Sequence, residues 1–137
     1  MEKKSHHRDS VTDGLAIEEF AGYTRAVRID NRILVSGTTA TGPDGNVVGA
    51  GDLAEQTRYI LSKIERSIVK LGGSLRDVVR TRIYVRDVND WEPAARVHGE
   101  WFREIRPANT LVQAALFGEE YLVEIEAEAI IGAGDAL

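Results

Sequence analysis

The 137-residue sequence predicts one α+β domain, a β-sheet covered on a single face by two amphipathic helices. Three observations carry that expectation. Apolar residues recur at helical spacing in two segments, from Leu53 to Leu71 and from Val97 to Ile105. Runs rich in β-branched and aromatic residues flank and separate them. The resulting order is strand, strand, helix, strand, helix, strand, strand, and two helices supply apolar surface for only one side of such a sheet.

The first two strands, Tyr23 to Ile29 and Arg32 to Ser36, are separated by Asp30-Asn31, a two-residue hairpin signal. Gly42-Pro43-Asp44-Gly45 marks the turn that follows. Asp52 is a good N-cap for the first helix, because its carboxylate accepts an otherwise orphaned N–H of the first turn. Leu53, Ile60, Leu61, Ile64, Ile68 and Leu71 form its inward stripe, and Gly72-Gly73 stops it, since glycine takes the left-handed C′ conformation at little cost. Val78 to Val85 is a strand. Asn89 or Asp90 caps the second helix, which runs to about Ile105 with Val97, Trp101, Phe102 and Ile105 inward. Pro93 lies in its first turn, where a missing N–H does no harm, and Pro107 ends it. Thr110 to Leu116 and Leu122 to Ile131 are the last two strands, joined by a loop containing Gly118. Residues 1–20 are expected to be a flexible tail, residues 21–132 the domain, and residues 133–137 a C-terminal tail.

Composition narrows the function. A net charge of −5, with basic residues interspersed among acidic ones, argues against a nucleic-acid partner, whose phosphates demand clustered Lys and Arg. The absence of cysteine excludes disulfides, thiolate metal sites and a cysteine nucleophile. No apolar run suggests a membrane span, and the polar first twelve residues do not read as a signal peptide, so a cytoplasmic protein is expected.

Strand faces are more informative. In the last strand Val123, Ile125, Ala127, Ala129 and Ile131 alternate onto the helix side, while Glu124, Glu126 and Glu128 alternate onto the other. In the middle strand Val79, Thr81, Ile83 and Val85 share one face, and Arg80, Arg82, Tyr84 and Arg86 share the opposite one. If the two strands are neighbours, arginines and glutamates form cross-strand rungs on the helix-free face. Such a face is either a solvated surface of weak ion pairs or a surface set against other subunits; Val78, Leu122 and Ile130, placed on it by the same alternation, favour the second.

Familiar catalytic signatures are missing. Gly49-Ala50-Gly51-Asp52 precedes a helix but lacks the Lys-Ser/Thr of a P-loop, and Asp52 would repel an anion at the helix start. Three histidines, two of them His6 and His7, offer no metal-ligand spacing, so neither metal nor cofactor is expected. No Gly-x-Ser-x-Gly elbow is present. His98, beside inward-facing Val97 and Trp101, is a packing residue or a pocket residue.

Pro107-Ala108-Asn109-Thr110-Leu111-Val112-Gln113, followed by Val123-Glu124-Ile125-Glu126-Ala127, resembles the signature of the RidA/YjgF family, also called endoribonuclease L-PSP. Val35-Ser36-Gly37, Asp52 to Gly73 and Val78 to Trp91 resemble further segments of it, so that the likeness extends from about Gly22 to Ile131. The resemblance implies a chorismate-mutase-like fold with a mixed sheet, a homotrimer with its helices outside, and three ligand clefts between subunits. It also implies hydrolysis of reactive enamines or imines to carbonyl compounds and ammonia. Carried over by motif, Glu124 is the water-orienting carboxylate, Gly37 a backbone contact and Tyr23 the aromatic wall of the cleft.

One departure bears on substrate. Where the family carries an arginine that clamps a substrate carboxylate, this sequence has Asn109, which has neither the charge nor the bidentate fork. Asn109 and His98 are then expected to recognise a different small-molecule substrate, and Arg82 either supplies a replacement anion contact or pairs with Glu126 or Glu128. The competing functions are a non-catalytic metabolite-binding trimer and, against the acidic composition, an endoribonuclease.

Overall fold

A computed structural model describes residues 5–137 of the chain, so the first four residues of the expected tail lie outside the described residues. The elements are β1 (Arg8–Val11), α1 (Ala16–Ala21), β2 (Ala26–Ile29), β3 (Arg32–Thr38), α2 (Leu53–Lys70), β4 (Val78–Val85), α3 (Trp91–Phe102), β5 (Ala108–Gln113) and β6 (Val123–Ile130). They form one six-stranded sheet in the order β1-β2-β3-β6-β4-β5. Every pair is antiparallel except β4 with β5, which makes the sheet mixed.

That parallel pair follows from connectivity, because α3 carries the chain from β4 back to the start of β5. α2 makes the other crossover, from β3 to β4, and β6 later fills the gap between those two strands. β6 is therefore central although it is the last strand. Its Val123, Ile125, Ala127 and Ala129 are buried against the helices with Ile33 and Val35 of β3 and Ile83 and Val85 of β4. From the helices come Ile60, Leu61, Ile64 and Ile68 of α2 and Ala94, Val97 and Phe102 of α3. Burying each of the larger aliphatic side chains contributes about 1.5–3 kcal/mol.

Local chemistry sets the boundaries. The Asp52 carboxylate accepts from the Glu55 N–H at 3.0 Å, as an N-cap should, and Gly72 takes a left-handed φ of 93° beyond the end of α2. In the hairpin between β2 and β3, Asp30 adopts φ 53°. α3 stops at Phe102 rather than near Ile105; Arg106, which precedes Pro107, leaves the helical region for φ 55°.

Several expectations are corrected. Residues 8–21 do not form a flexible tail: β1 pairs with β2 from Arg8↔Ile29 to Val11↔Ala26, and α1 follows. A short polar edge strand has no alternation to reveal it, and only Val11 touches the core. β2 starts at Ala26, not Tyr23, because the Tyr23 N–H closes the end of α1 on the Glu18 carbonyl at 3.0 Å. β3 runs on to Thr38 through an irregularity between Val35 and Thr38. β5 is shifted toward Ala108 because its length is set by the β4 partners from Arg80 to Val85. Val78, expected on the helix-free face, is buried in the core, since a register shift between Val78 and Arg80 turns it inward.

The C-terminal residues are also held. Ala133–Ala136 form a 3-10 turn in which Gly134 is buried. The buried Asp77 carboxylate accepts from the N–H groups of Gly132 at 3.1 Å and Gly134 at 3.0 Å, and from the Ser74 N–H at 3.0 Å. Asp77→Ala strands these donors and should lower stability by about 2 kcal/mol or more, read as a lower denaturant midpoint at unchanged m-value.

Candidate functional site

The rungs expected between β4 and β6 are present on the helix-free face, where Arg80 stands opposite Glu128, Arg82 opposite Glu126 and Tyr84 opposite Glu124. Side-chain pairing follows the rungs only in part. Arg82 Nη1 lies 3.3 Å from Glu126 Oε1 and 3.4 Å from Glu128 Oε1, so its charge is already matched by two carboxylates. The Tyr84 hydroxyl donates to Glu126 Oε1 at 2.6 Å instead of to the facing Glu124, and that bond to a carboxylate raises the phenol pKa above its ordinary value. Glu126 and Glu128 are thus engaged. Among the described residues Glu124 has no hydrogen bond and no ion pair from its side chain.

Gly37 explains where the free carboxylate sits. A Cβ at position 37 would lie 2.6 Å from Glu124 Oε1, so any larger residue there would push the carboxylate out of this position. Burial pushes the Glu124 carboxyl above the usual range, the Arg25 guanidinium pulls it down, and Glu126 adds to the upward push. Arg25 is itself buried. Its Nη2 donates to the Gly37 carbonyl at 2.8 Å, and its guanidinium stands 5.8 Å from the centre of the Tyr23 ring. Tyr23 also joins Arg82, Glu126, Glu128 and Ser36 around a hollow of about 410 Å³ on the same face.

Asn109 and His98 lie elsewhere. Asn109 pairs in register with Thr81, whose side chain is fully buried on the helix side of the sheet. Asn109 Nδ2 donates to Thr81 Oγ1 at 3.0 Å and approaches the Thr81 carbonyl at 3.5 Å. A carbonyl only accepts, so nitrogen rather than oxygen of the amide faces Thr81. Thr81 Oγ1 also lies at hydrogen-bonding distance, 2.8 Å, from His98 Nε2, so one hydroxyl links the asparagine to the imidazole. Burial also holds the His98 pKa below its ordinary value, in keeping with a neutral ring, and the ring packs 4.6 Å from that of Phe102. His98 borders a hollow of about 330 Å³ with Phe102, Arg103, Arg106 and Pro107.

Within one chain, then, the structure brings Glu124 and Gly37 together, joins Tyr23 to Gly37 through Arg25, and sets Arg82 with Tyr23 around the adjoining hollow, while Asn109 and His98 lie on the opposite face. Sequence reasoning did not single out Arg25 or Thr81. An arginine in a β-rich run reads as solvated, and a threonine on a core face reads as packing.

The sequence profile of the endoribonuclease L-PSP family matches residues 14–131. A protein named 3-aminoacrylate deaminase RutC, from Acinetobacter baylyi, is 38% identical over 109 residues, which cover 80% of this chain and 86% of that protein. A RutC family protein of Pyrococcus abyssi is 33% identical over 107 residues, 78% of this chain and 84% of its own length. The crystal structure of a YjgF/YER057c/UK114 family member from Mycobacterium tuberculosis gives a TM-score of 0.82 at 42% identity, covering 91% of this chain and 100% of that one.

The raised Glu124 pKa has a consequence for stability. From about pH 4.5 up through the folded-state value, the folded chain keeps a proton that the unfolded chain has released, so stability falls as pH rises across that window. Glu124→Gln removes this loss. The variant should unfold at higher urea concentration than the parent at pH 7, and the difference should close as the pH is taken below 4.5.

Proposed function

Because the chain belongs to the RidA/YjgF (endoribonuclease L-PSP) family, we propose that it hydrolyses a reactive enamine or imine to a carbonyl compound and ammonia, with Glu124 holding the attacking water. One observation carries the reading: of the three carboxylates on the helix-free face of β6, Glu124 alone is without a hydrogen-bonded partner, and it is pressed against the Gly37 backbone. A desolvated carboxylate with a raised pKa holds a proton more readily than an ordinary one, which suits it to exchanging protons with a bound water.

The chemistry needs little more. An enamine becomes an imine by proton transfer to carbon. Water then adds to the C=N carbon, its proton passing to Glu124, and the nitrogen is protonated. The resulting carbinolamine collapses with cleavage of the C–N bond, releasing ammonia as the carbonyl forms. The electrophile is already activated, so the side chains orient water and substrate and supply no nucleophile of their own.

We place the reaction between subunits of a homotrimer. The Glu124 cluster and the Asn109–Thr81–His98 chain lie on opposite faces of one sheet, so a cleft lined by both draws them from neighbouring copies. The exposed Leu34 and Ile130 on the helix-free side support burial there against another chain. Both donors of Asn109 are directed at Thr81, leaving it an acceptor to offer a ligand, and the charge of Arg82 is met by glutamates. The substrate is therefore one other than a simple 2-imino acid, whose carboxylate neither residue is free to clamp.

Ammonia release from imines generated in situ by an amino-acid oxidase or dehydratase tests this reading. Turnover should fall by roughly 10²-fold or more in Glu124→Ala. It should be weak or nil with 2-aminoacrylate and rise with that substrate in Asn109→Arg. Equal rates for parent and Glu124→Ala across a broad panel, or a monomer by sedimentation, would refute it and leave a non-catalytic binding protein.

A further inference from the structure

A separate cavity of about 260 Å³ opens between the segment before α1, the loop after β3 and one side of α2. Four cations line it, Arg25, Lys63, Arg66 and Lys70, against a single carboxylate, Asp13. The chain as a whole carries a net charge of −5, so this concentration runs against its composition.

The positive charge is also uncompensated. Lys63, Arg66 and Lys70 repeat at three- and four-residue intervals on α2, where like charges repel. None of the three forms an ion pair among the described residues. Lys63 Nζ is partly buried and spends two donors on the carbonyls of Thr39, at 3.2 Å, and Thr41, at 3.1 Å, keeping a third. Burial lowers its pKa first; Asp13 acts against that shift, and Arg25 and Arg66 reinforce it. Asp13 answers only Arg25, and at a loose 3.8 Å from Nε. Arg25 is more than nine-tenths buried, yet only the Gly37 carbonyl, at 2.8 Å, and the Thr38 hydroxyl, at 3.4 Å, accept from its terminal nitrogens. Ser67 adds a hydroxyl to the wall.

We propose that this cavity binds a small phosphate-type dianion, either the free oxyanion or the phosphate of a compact monoester. A dianion matches the excess of cations, and a tetrahedral oxyanion can accept from donors arriving from α2 and from Arg25 together. The volume lies just below the roughly 300–1,000 Å³ of pockets for drug-sized ligands, which suits a compact ligand. The site is distinct from the proposed water-orienting Glu124, and binding there does not depend on deamination.

Calorimetric titration of the full chain with inorganic phosphate, pyrophosphate and glycerol phosphate, at ionic strength held constant with chloride, tests it. Saturable binding of at least one probe is expected, weakened roughly tenfold or more by Lys63→Met and by the exposed double change Arg66→Ala/Lys70→Ala, and unaltered by Arg58→Ala outside the cavity. Tighter binding of glycerol phosphate than of phosphate would assign the monoester, and the reverse order the free oxyanion; both support the site. No saturable binding, equal affinity in all the variants, or displacement of the probe by a short single-stranded RNA that binds more tightly would overturn it.

Discussion

The insertion of β6 between β3 and β4 is the constraint on which the fold and the site both rest. α2 carries the chain from β3 to β4 and leaves a gap between them, and the last strand closes it. Until β6 docks, the two halves of the sheet share no ladder and the inward faces of both helices lack much of their floor. Such long-range pairing is slow to form, because the chain entropy must be lost before the contacts are gained. Alternation in β6 then performs two tasks at once. Its valine, isoleucine and alanines seal the core, and the intervening glutamates are delivered to the opposite face, where a one-residue slip would exchange the two sets.

The three glutamates have the same chemistry and near-identical strand positions, so their difference comes from neighbours. Arg82 bridges Glu126 and Glu128, and Tyr84 turns to Glu126. These partners are part-exposed, and each ion pair contributes about 0–1 kcal/mol at most. Their larger effect is to fix register and to occupy two of the carboxylates. Glu124 is left desolvated against Gly37, an arrangement that raises its pKa and lowers stability where the unfolded chain would have ionised it.

How far the sequence could be read depended on how strongly each feature repeats. The helices, the central strands and the two faces of β6 were legible because apolar periodicity is long and regular from Leu53 to Leu71 and from Val78 to Val85, and because Glu124, Glu126 and Glu128 break it at every second residue. β1 was not legible: Arg8, Asp9 and Ser10 have no buried face to pattern. Val78 was assigned to the wrong face because strict alternation cannot foresee a bulge. In the site, Glu124, Gly37 and Tyr23 came through short motifs; the first two lie against each other, and Tyr23 reaches them through Arg25. Arg25 was missed because its importance arises from burial, which one arginine in a strand does not announce. Asn109 and His98 were singled out separately, and nothing local revealed that Thr81 joins them.

That hydrogen-bonded chain changes what the Asn109 position offers. An arginine there would present several donors and a permanent charge, and it would remain a cation however its neighbours were arranged. The asparagine is instead turned toward Thr81, whose hydroxyl also meets His98, so that the three side chains form one hydrogen-bonded chain. Asn109 and Thr81 carry no charge, burial disfavours one on His98, and the Asn109 amide oxygen has no partner among the described residues. Positive charge with no ion-paired carboxylate among the described residues gathers instead along α2, at Lys63, Arg66 and Lys70. Arg25 joins that cavity to the Glu124 face, since its guanidinium donates to the Gly37 carbonyl and also lines the cavity.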